Sequence, residues 1–128
     1  GGLTGCEIAY QLCLEGKHPV IVEQKSDLIA QTGVCLANSS YLRDYFALFN
    51  TEIHLNSKLL EVTDKGLKVE DINHNVTEIS GDKVIMSIGY VPQPLIKNRR
   101  KVYFVGDCVS VGNLRTVIWR AWDVAMKL

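Results

Sequence analysis

The sequence opens on Gly1-Gly2-Leu3-Thr4-Gly5 and runs straight into a helical pattern, and no other feature narrows the possible folds so far. Set against the spacing GxGxxG, Gly2 and Gly5 stand as the second and third glycines, with Gly1 in the variable slot between the first two. A glycine at position 2 would let the backbone approach a pyrophosphate, and Gly5 would let the helix close on a sheet. The helix start, including Leu3 and Thr4, would offer unpaired N–H groups and the positive end of the dipole. A glycine-rich helix start that binds nothing is the competing reading. The first glycine and its strand would lie before residue 1. With no Met at the start, we expect a piece of a longer polypeptide, its first strand missing.

The pattern that follows is alternately helical and extended. Leu3, Cys6, Ile8, Ala9, Leu12 and Cys13 recur at helical spacing, and Gly16 and Pro19 supply the stop. Val20-Ile21-Val22 is a short β-branched run without alternation, which suits a strand covered on both faces. Glu23 ends it eighteen residues after Gly5, near the offset of about 20 at which an acid meets ribose hydroxyls. A solvated strand-end carboxylate is the alternative. Residues 24–36 read as a loop and 37–50 as a second helix, followed by a short strand at 51–55. Turn residues at Asp64-Lys65-Gly66 and Asn73-His74-Asn75 divide strands at 58–63, 66–72 and 76–80, predicting an antiparallel three-stranded meander with a mobile second tip. We expect further strands at 82–89 and 101–105, a connector at 92–100, and a closing helix at 114–128.

Composition removes other classes. With 47% hydrophobic and 22% charged residues the chain is not disordered, and 128 residues suffice for one core. Fourteen basic residues balance fourteen acidic ones, which argues against nucleic-acid and membrane-surface partners. No apolar run approaches the ~18 residues of a membrane span. Cys6, Cys13, Cys35 and Cys108 form no CxxC, so they read as reduced thiols of a cytoplasmic protein, and no metal site is expected. His18, His54 and His74 have no carboxylate or cysteine at ligand spacing. Trp119 and Trp122, with Tyr103, read as core and interface packing, and Asn98-Arg99-Arg100-Lys101 as a solvated connector. No nucleophile or acid–base pair stands out, so no catalytic side chain is assigned.

Four segments in order carry a resemblance: residues 1–9, Val20-Ile21-Val22-Glu23, Ser87-Ile88-Gly89-Tyr90-Val91-Pro92, and Val102-Tyr103-Phe104-Val105-Gly106-Asp107-Cys108. Together they resemble the FAD/NAD-linked reductase module. More narrowly they are similar to the C-terminal part of the NADH:flavin oxidoreductases that include 2-enoate reductase and 2,4-dienoyl-CoA reductase. The resemblance implies a Rossmann-like α/β fold in which residues 1–98 form an NAD(P)H-binding domain and 99–128 return to an FAD-binding domain. It implies that Gly2, Gly5 and Glu23 face the dinucleotide, with Glu7 near the nicotinamide end. Gly89 would mark the crossing back toward the flavin, and Gly106-Asp107 would meet the FAD ribityl–phosphate region. FMN and an iron–sulfur cluster would belong to a preceding barrel, and the parent enzyme would pass hydride from NADH through FAD to an activated C=C bond. The Glu23 carboxylate favours NADH over NADPH, although Lys25 stands near enough to offset it. A non-catalytic folding or assembly module, self-associating through the slot of the absent strand, is the alternative of another class.

Overall fold

The computed structural model describes residues 1–96 and 99–128, which fall into two compact units, Gly1–Ile88 and Gly89–Leu128. The expected connector at 92–100, the basic patch at 98–101 and the domain boundary at 98/99 lie in part outside the described residues.

In the first unit α1 (Leu3–Leu14), β1 (Val20–Val22), α2 (Leu36–Leu48) and β2 (Glu52–His54) follow one another, and β1 pairs with β2 in parallel, Ile21 opposite Ile53. Both helices end on left-handed residues that reclaim their last carbonyls. Gly16 (φ 73°) directs the Lys17 N–H to Leu12 O at 2.9 Å, and Asn50 (φ 51°) directs the Thr51 N–H to Phe46 O at 2.9 Å. These endings turn the chain into the strands, so that Cys6 and Ala9 of α1, Ile21 of β1, and Leu42 and Phe46 of α2 share one core. Leu28 and Ile29 complete it from the connection between β1 and α2, which reads as a plain loop in the sequence yet buries both side chains.

The meander forms as expected from β3 (Lys58–Thr63), β4 (Gly66–Glu70) and β5 (Val76–Ser80), antiparallel throughout, with one irregularity between Leu59 and Glu61. Val69 and Ile79 are its buried hydrophobic residues. At the second tip Asp71 accepts the N–H groups of Asn73 (2.8 Å) and Asn75 (2.9 Å) and the Asn75 amide, and these bonds hold its carboxyl below the usual range.

Two expected strands are absent. Residues 82–89 and 101–105 form no ladder among the described residues; Lys101 stands in a turn with φ 65°, and Ile88 is 83% exposed. An apolar run becomes a strand only when a neighbour takes its N–H and C=O groups, and within the first unit β1 and β2 hydrogen-bond to none of residues 82–88 among the described residues.

Among the described residues the second unit contains one 3-10 turn, Gly106–Cys108, and α3 (Leu114–Ala125). A capping box starts α3: Asn113 accepts the Thr116 N–H at 3.1 Å while Thr116 Oγ1 accepts the Asn113 N–H at 2.9 Å. None of the α3 residues is buried. Trp119 and Trp122 stay more than half exposed, which departs from the core part of the core and interface packing expected of them. Among the described residues no helix is long and apolar enough to cross a membrane.

Candidate functional site

The glycine turn is gripped from two sides. Gly1 O accepts the Ile29 N–H at 2.7 Å and the Cys6 thiol at 3.3 Å. A Cβ on Gly1 would stand 2.7 Å from Glu23 Cβ and 2.9 Å from Leu28 Cδ2, so no side chain fits there. Gly2 is the opposite case: its nearest neighbour would be Gln31 Oε1 at 3.8 Å, which leaves the backbone open to a close approach. A Cβ on Gly5 would meet Ser87 Cβ at 3.1 Å, so glycine there lets α1 lie tightly on the chain at residue 87. Gly2 is also the N-cap of α1 and brings no side chain to its amides. The first helical bond runs from the Cys6 N–H to Gly2 O at 2.9 Å, and the N–H groups of Leu3, Thr4 and Gly5 find no acceptor among the described residues. Leu3 packs its side chain against the core, while Thr4 is exposed.

Glu23 reaches this turn because the parallel pairing continues past β1. Its N–H bonds His54 O at 2.8 Å, and its carbonyl takes the Ser57 N–H at 2.9 Å. Oε1 accepts the Lys25 N–H at 2.8 Å and Oε2 lies 3.1 Å from the Gly1 nitrogen, with the side chain 16% exposed. Burial pushes the Glu23 carboxyl up, and the Lys25 N–H and the Lys25 charge pull it the other way. Each carboxylate oxygen keeps capacity for a further donor, so ribose hydroxyls can be accepted. Open amides at the helix start, a bare backbone at Gly2 and an ionised acid beside them fit the pyrophosphate and ribose of a dinucleotide.

Other expected site residues lie elsewhere. Glu7 lines a groove between the two helices with Tyr10, Asn38, Tyr41 and Leu42, and touches none of the groups that hold Glu23. Gly89, Gly106 and Asp107 belong to the second unit. Gly89 (φ 99°) has open space where a side chain would stand, and Gly106 (φ 79°) is buried, 3.6 Å from Val117 at its would-be Cβ. Asp107 Oδ1 accepts the Gly112 N–H at 3.1 Å, a stitch across the loop before α3, whose cap is Asn113. Two histidines do meet carboxylates, against the sequence expectation: His54 Nε2 lies 2.7 Å from Glu52 and His74 Nδ1 lies 3.1 Å from Glu70. The first pair shares one strand face at i, i+2, and the second spans the hairpin tip. Both are exposed pairs, and the described residues contain no cluster fit for a metal.

Sequence reasoning passed over the loop that walls this turn. The Arg43 guanidinium takes both carboxylate oxygens of Asp27, at 3.2 and 3.0 Å, and the Leu28 carbonyl at 2.6 Å. Lys25 Nζ donates to Ala30 O at 3.0 Å. The one available signal was the apolar pair Leu28-Ile29 inside an otherwise polar connection.

A helix opening on glycines, a parallel strand pair behind it and an antiparallel meander after it make a Rossmann-like oxidoreductase fold. The chain belongs to the pyridine nucleotide-disulphide oxidoreductase family, which matches residues 1–102. It is 30% identical to cinnamate reductase of Clostridium sporogenes over 134 aligned positions, covering 100% of this chain and 20% of that protein. To the nitric oxide reductase FlRd-NAD(+) reductase of Salmonella gallinarum it is 26% identical, over 87% of this chain and 34% of that protein. Among solved structures, 2-naphthoyl-CoA reductase in complex with 2-naphthoyl-CoA superposes with a TM-score of 0.79 at 21% identity, over 96% of this chain and 19% of that one. The chain thus spans a fifth to a third of the length of these relatives, and its general kind is a pyridine-nucleotide-linked oxidoreductase.

Proposed function

We propose that residues 1–98 bind NADH at the Gly1–Gly5 turn, and that residues 99–128 belong to the FAD side of a flavoprotein reducing an activated C=C bond. The observation that supports this most directly is the convergence of Gly1, Gly2 and the open helix-start amides on the Glu23 carboxylate. The C. sporogenes relative is named for cinnamate, whose double bond is conjugated to a carboxylate, which favours the same substrate class here. When bound, the nicotinamide supplies the hydride and the flavin accepts it.

The chain's own part is to bind and orient. Glu23 accepts the ribose 2′- and 3′-hydroxyl protons and repels a 2′-phosphate. The amides of Leu3, Thr4 and Gly5 face the pyrophosphate, with the Gly2 backbone allowing it close. Glu7 is assigned to the nicotinamide end, Gly89 to the return toward the flavin, and Gly106-Asp107 to the flavin's sugar–phosphate portion.

Calorimetric titration of NADH and NADPH tests the nucleotide half. NADH should bind more tightly, and Glu23→Ala should weaken it about tenfold, the loss of one or two charge-assisted hydrogen bonds, while narrowing the preference. NADPH binding as tight as NADH to the wild-type chain would sink this reading. For the flavin half, the Asp107 side is a small part of a cofactor site, so the chain mixed with FAD and desalted should be colourless. A stoichiometric yellow complex would mean that this end holds flavin by itself.

A further inference from the structure

The geometry points to Arg43 as a positioning residue that sets nucleotide selectivity by holding Lys25 away from the site. It rests on the NADH reading above and adds the means by which a lysine next to Glu23 is kept from recruiting NADPH. Lys25 starts at the site, since its own N–H lies 2.8 Å from Glu23 Oε1. Its ammonium, three protons on a flexible stem, would be a natural partner for a 2′-phosphate. In the structure that ammonium is turned back to the Ala30 carbonyl at 3.0 Å.

The turn-back depends on the shape of the connection between β1 and α2, and Arg43 fixes that shape. From α2 its guanidinium forks onto Asp27 Oδ1 and Oδ2 at 3.2 and 3.0 Å and also caps Leu28 O at 2.6 Å. Two residues are thereby tied between Lys25 and Ala30, the very segment whose ends the lysine bridges. Ile29 closes the same segment by donating to Gly1 O at 2.7 Å, with φ at 52°, a conformation an isoleucine adopts only when its surroundings impose it. Only a planar fork meets all three acceptors at once, so lysine is no substitute at position 43.

Simple electrostatics predicts the opposite sign, which makes the idea testable. Removing a cation near the site should weaken NADPH, the more anionic ligand. If Arg43 acts through Lys25, Arg43→Met should instead tighten NADPH relative to NADH. The gain should be about threefold to fivefold in the ratio of dissociation constants, the strength of one partly exposed ion pair. Calorimetry on the full chain would compare wild type, Arg43→Met, Asp27→Asn and each of the two combined with Lys25→Met. Asp27 is the more exposed partner, so Asp27→Asn breaks the fork with less risk to folding. The expected result is a shift toward NADPH in both single variants that Lys25→Met abolishes. NADH binding with an unchanged ratio in Asp27→Asn, or a shift that persists without Lys25, would overturn the role of Arg43 and leave the NADH reading standing. A wild-type chain that binds neither nucleotide would overturn both.

Discussion

Phe46→Ala should lower the stability of the first unit by about 3–5 kcal/mol, as expected for truncating a fully enclosed aromatic. Phe46 is 1% exposed and sits in the cluster formed by Cys6, Ala9, Ile21, Leu28, Ile29 and Leu42. A loss of that size is a large part of the ~5–15 kcal/mol that holds a domain together. The cavity would open under Ile21 of β1 and under Leu28 and Ile29, the residues that carry the chain from Glu23 back to Gly1. Nucleotide affinity should therefore fall with stability, although Phe46 touches no ligand. Leu48→Ala on the same helix is the control, because Leu48 is exposed and its removal should change little. Chemical denaturation followed by tryptophan-independent circular dichroism would measure both. A Phe46→Ala midpoint close to that of the control would show that α2 is not packed as described.

Which parts of this molecule were legible in the sequence follows from which parts are specified locally. The helices were, because Gly16 and the 3.6-residue spacing of Cys6, Ala9 and Leu12 act within one element. The meander was, because Asp64-Lys65-Gly66 and Asn73-His74-Asn75 dictate where the chain reverses. The glycine turn and Glu23 could be paired by spacing alone, since a helix of known length and one short turn separate them. Failure came where structure depends on a distant partner. Residues 82–89 and 101–105 have the apolar character of strands, but a ladder is a property of two segments. Leu28 and Ile29 lie among turn residues, and only the core beneath them shows that they are buried. The role of Gly1 was hidden for a related reason. The motif leaves its slot free, whereas the neighbouring Glu23 and Leu28 side chains close it to anything larger than hydrogen.

Gly66→Ala should unfold the meander locally while leaving the glycine turn intact. Gly66 has φ 146°, a region closed to residues with a Cβ, and it pairs with both Thr63 and Ser80 at the start of β4. An added Cβ would fall on the Ile79 carbonyl oxygen and within 2.9 Å of the Gly81 nitrogen. Both are backbone atoms inside a hydrogen-bonded ladder, so neither can swing aside as a side-chain tip would. Two other glycines separate the causes. Gly16 (φ 73°) has nothing within 4 Å of its would-be Cβ, so Gly16→Ala reports backbone strain alone and should cost about 1 kcal/mol. Gly81 has no positive φ and meets only Lys83 O at 3.9 Å, so Gly81→Ala should be close to neutral. Gly66→Ala combines strain with a clash and should cost about 3 kcal/mol or more. Hydrogen exchange should show the amides of β4 and β5 losing protection first, since Val69 and Ile79 are the meander's buried hydrophobic residues. The amides of β1 and the Ile29 N–H should keep theirs, because α1 and α2 pack on β1 and Gly1 without help from the meander. Equal loss of protection at Ile29 would show that the meander is a structural support of the nucleotide turn rather than a separate layer.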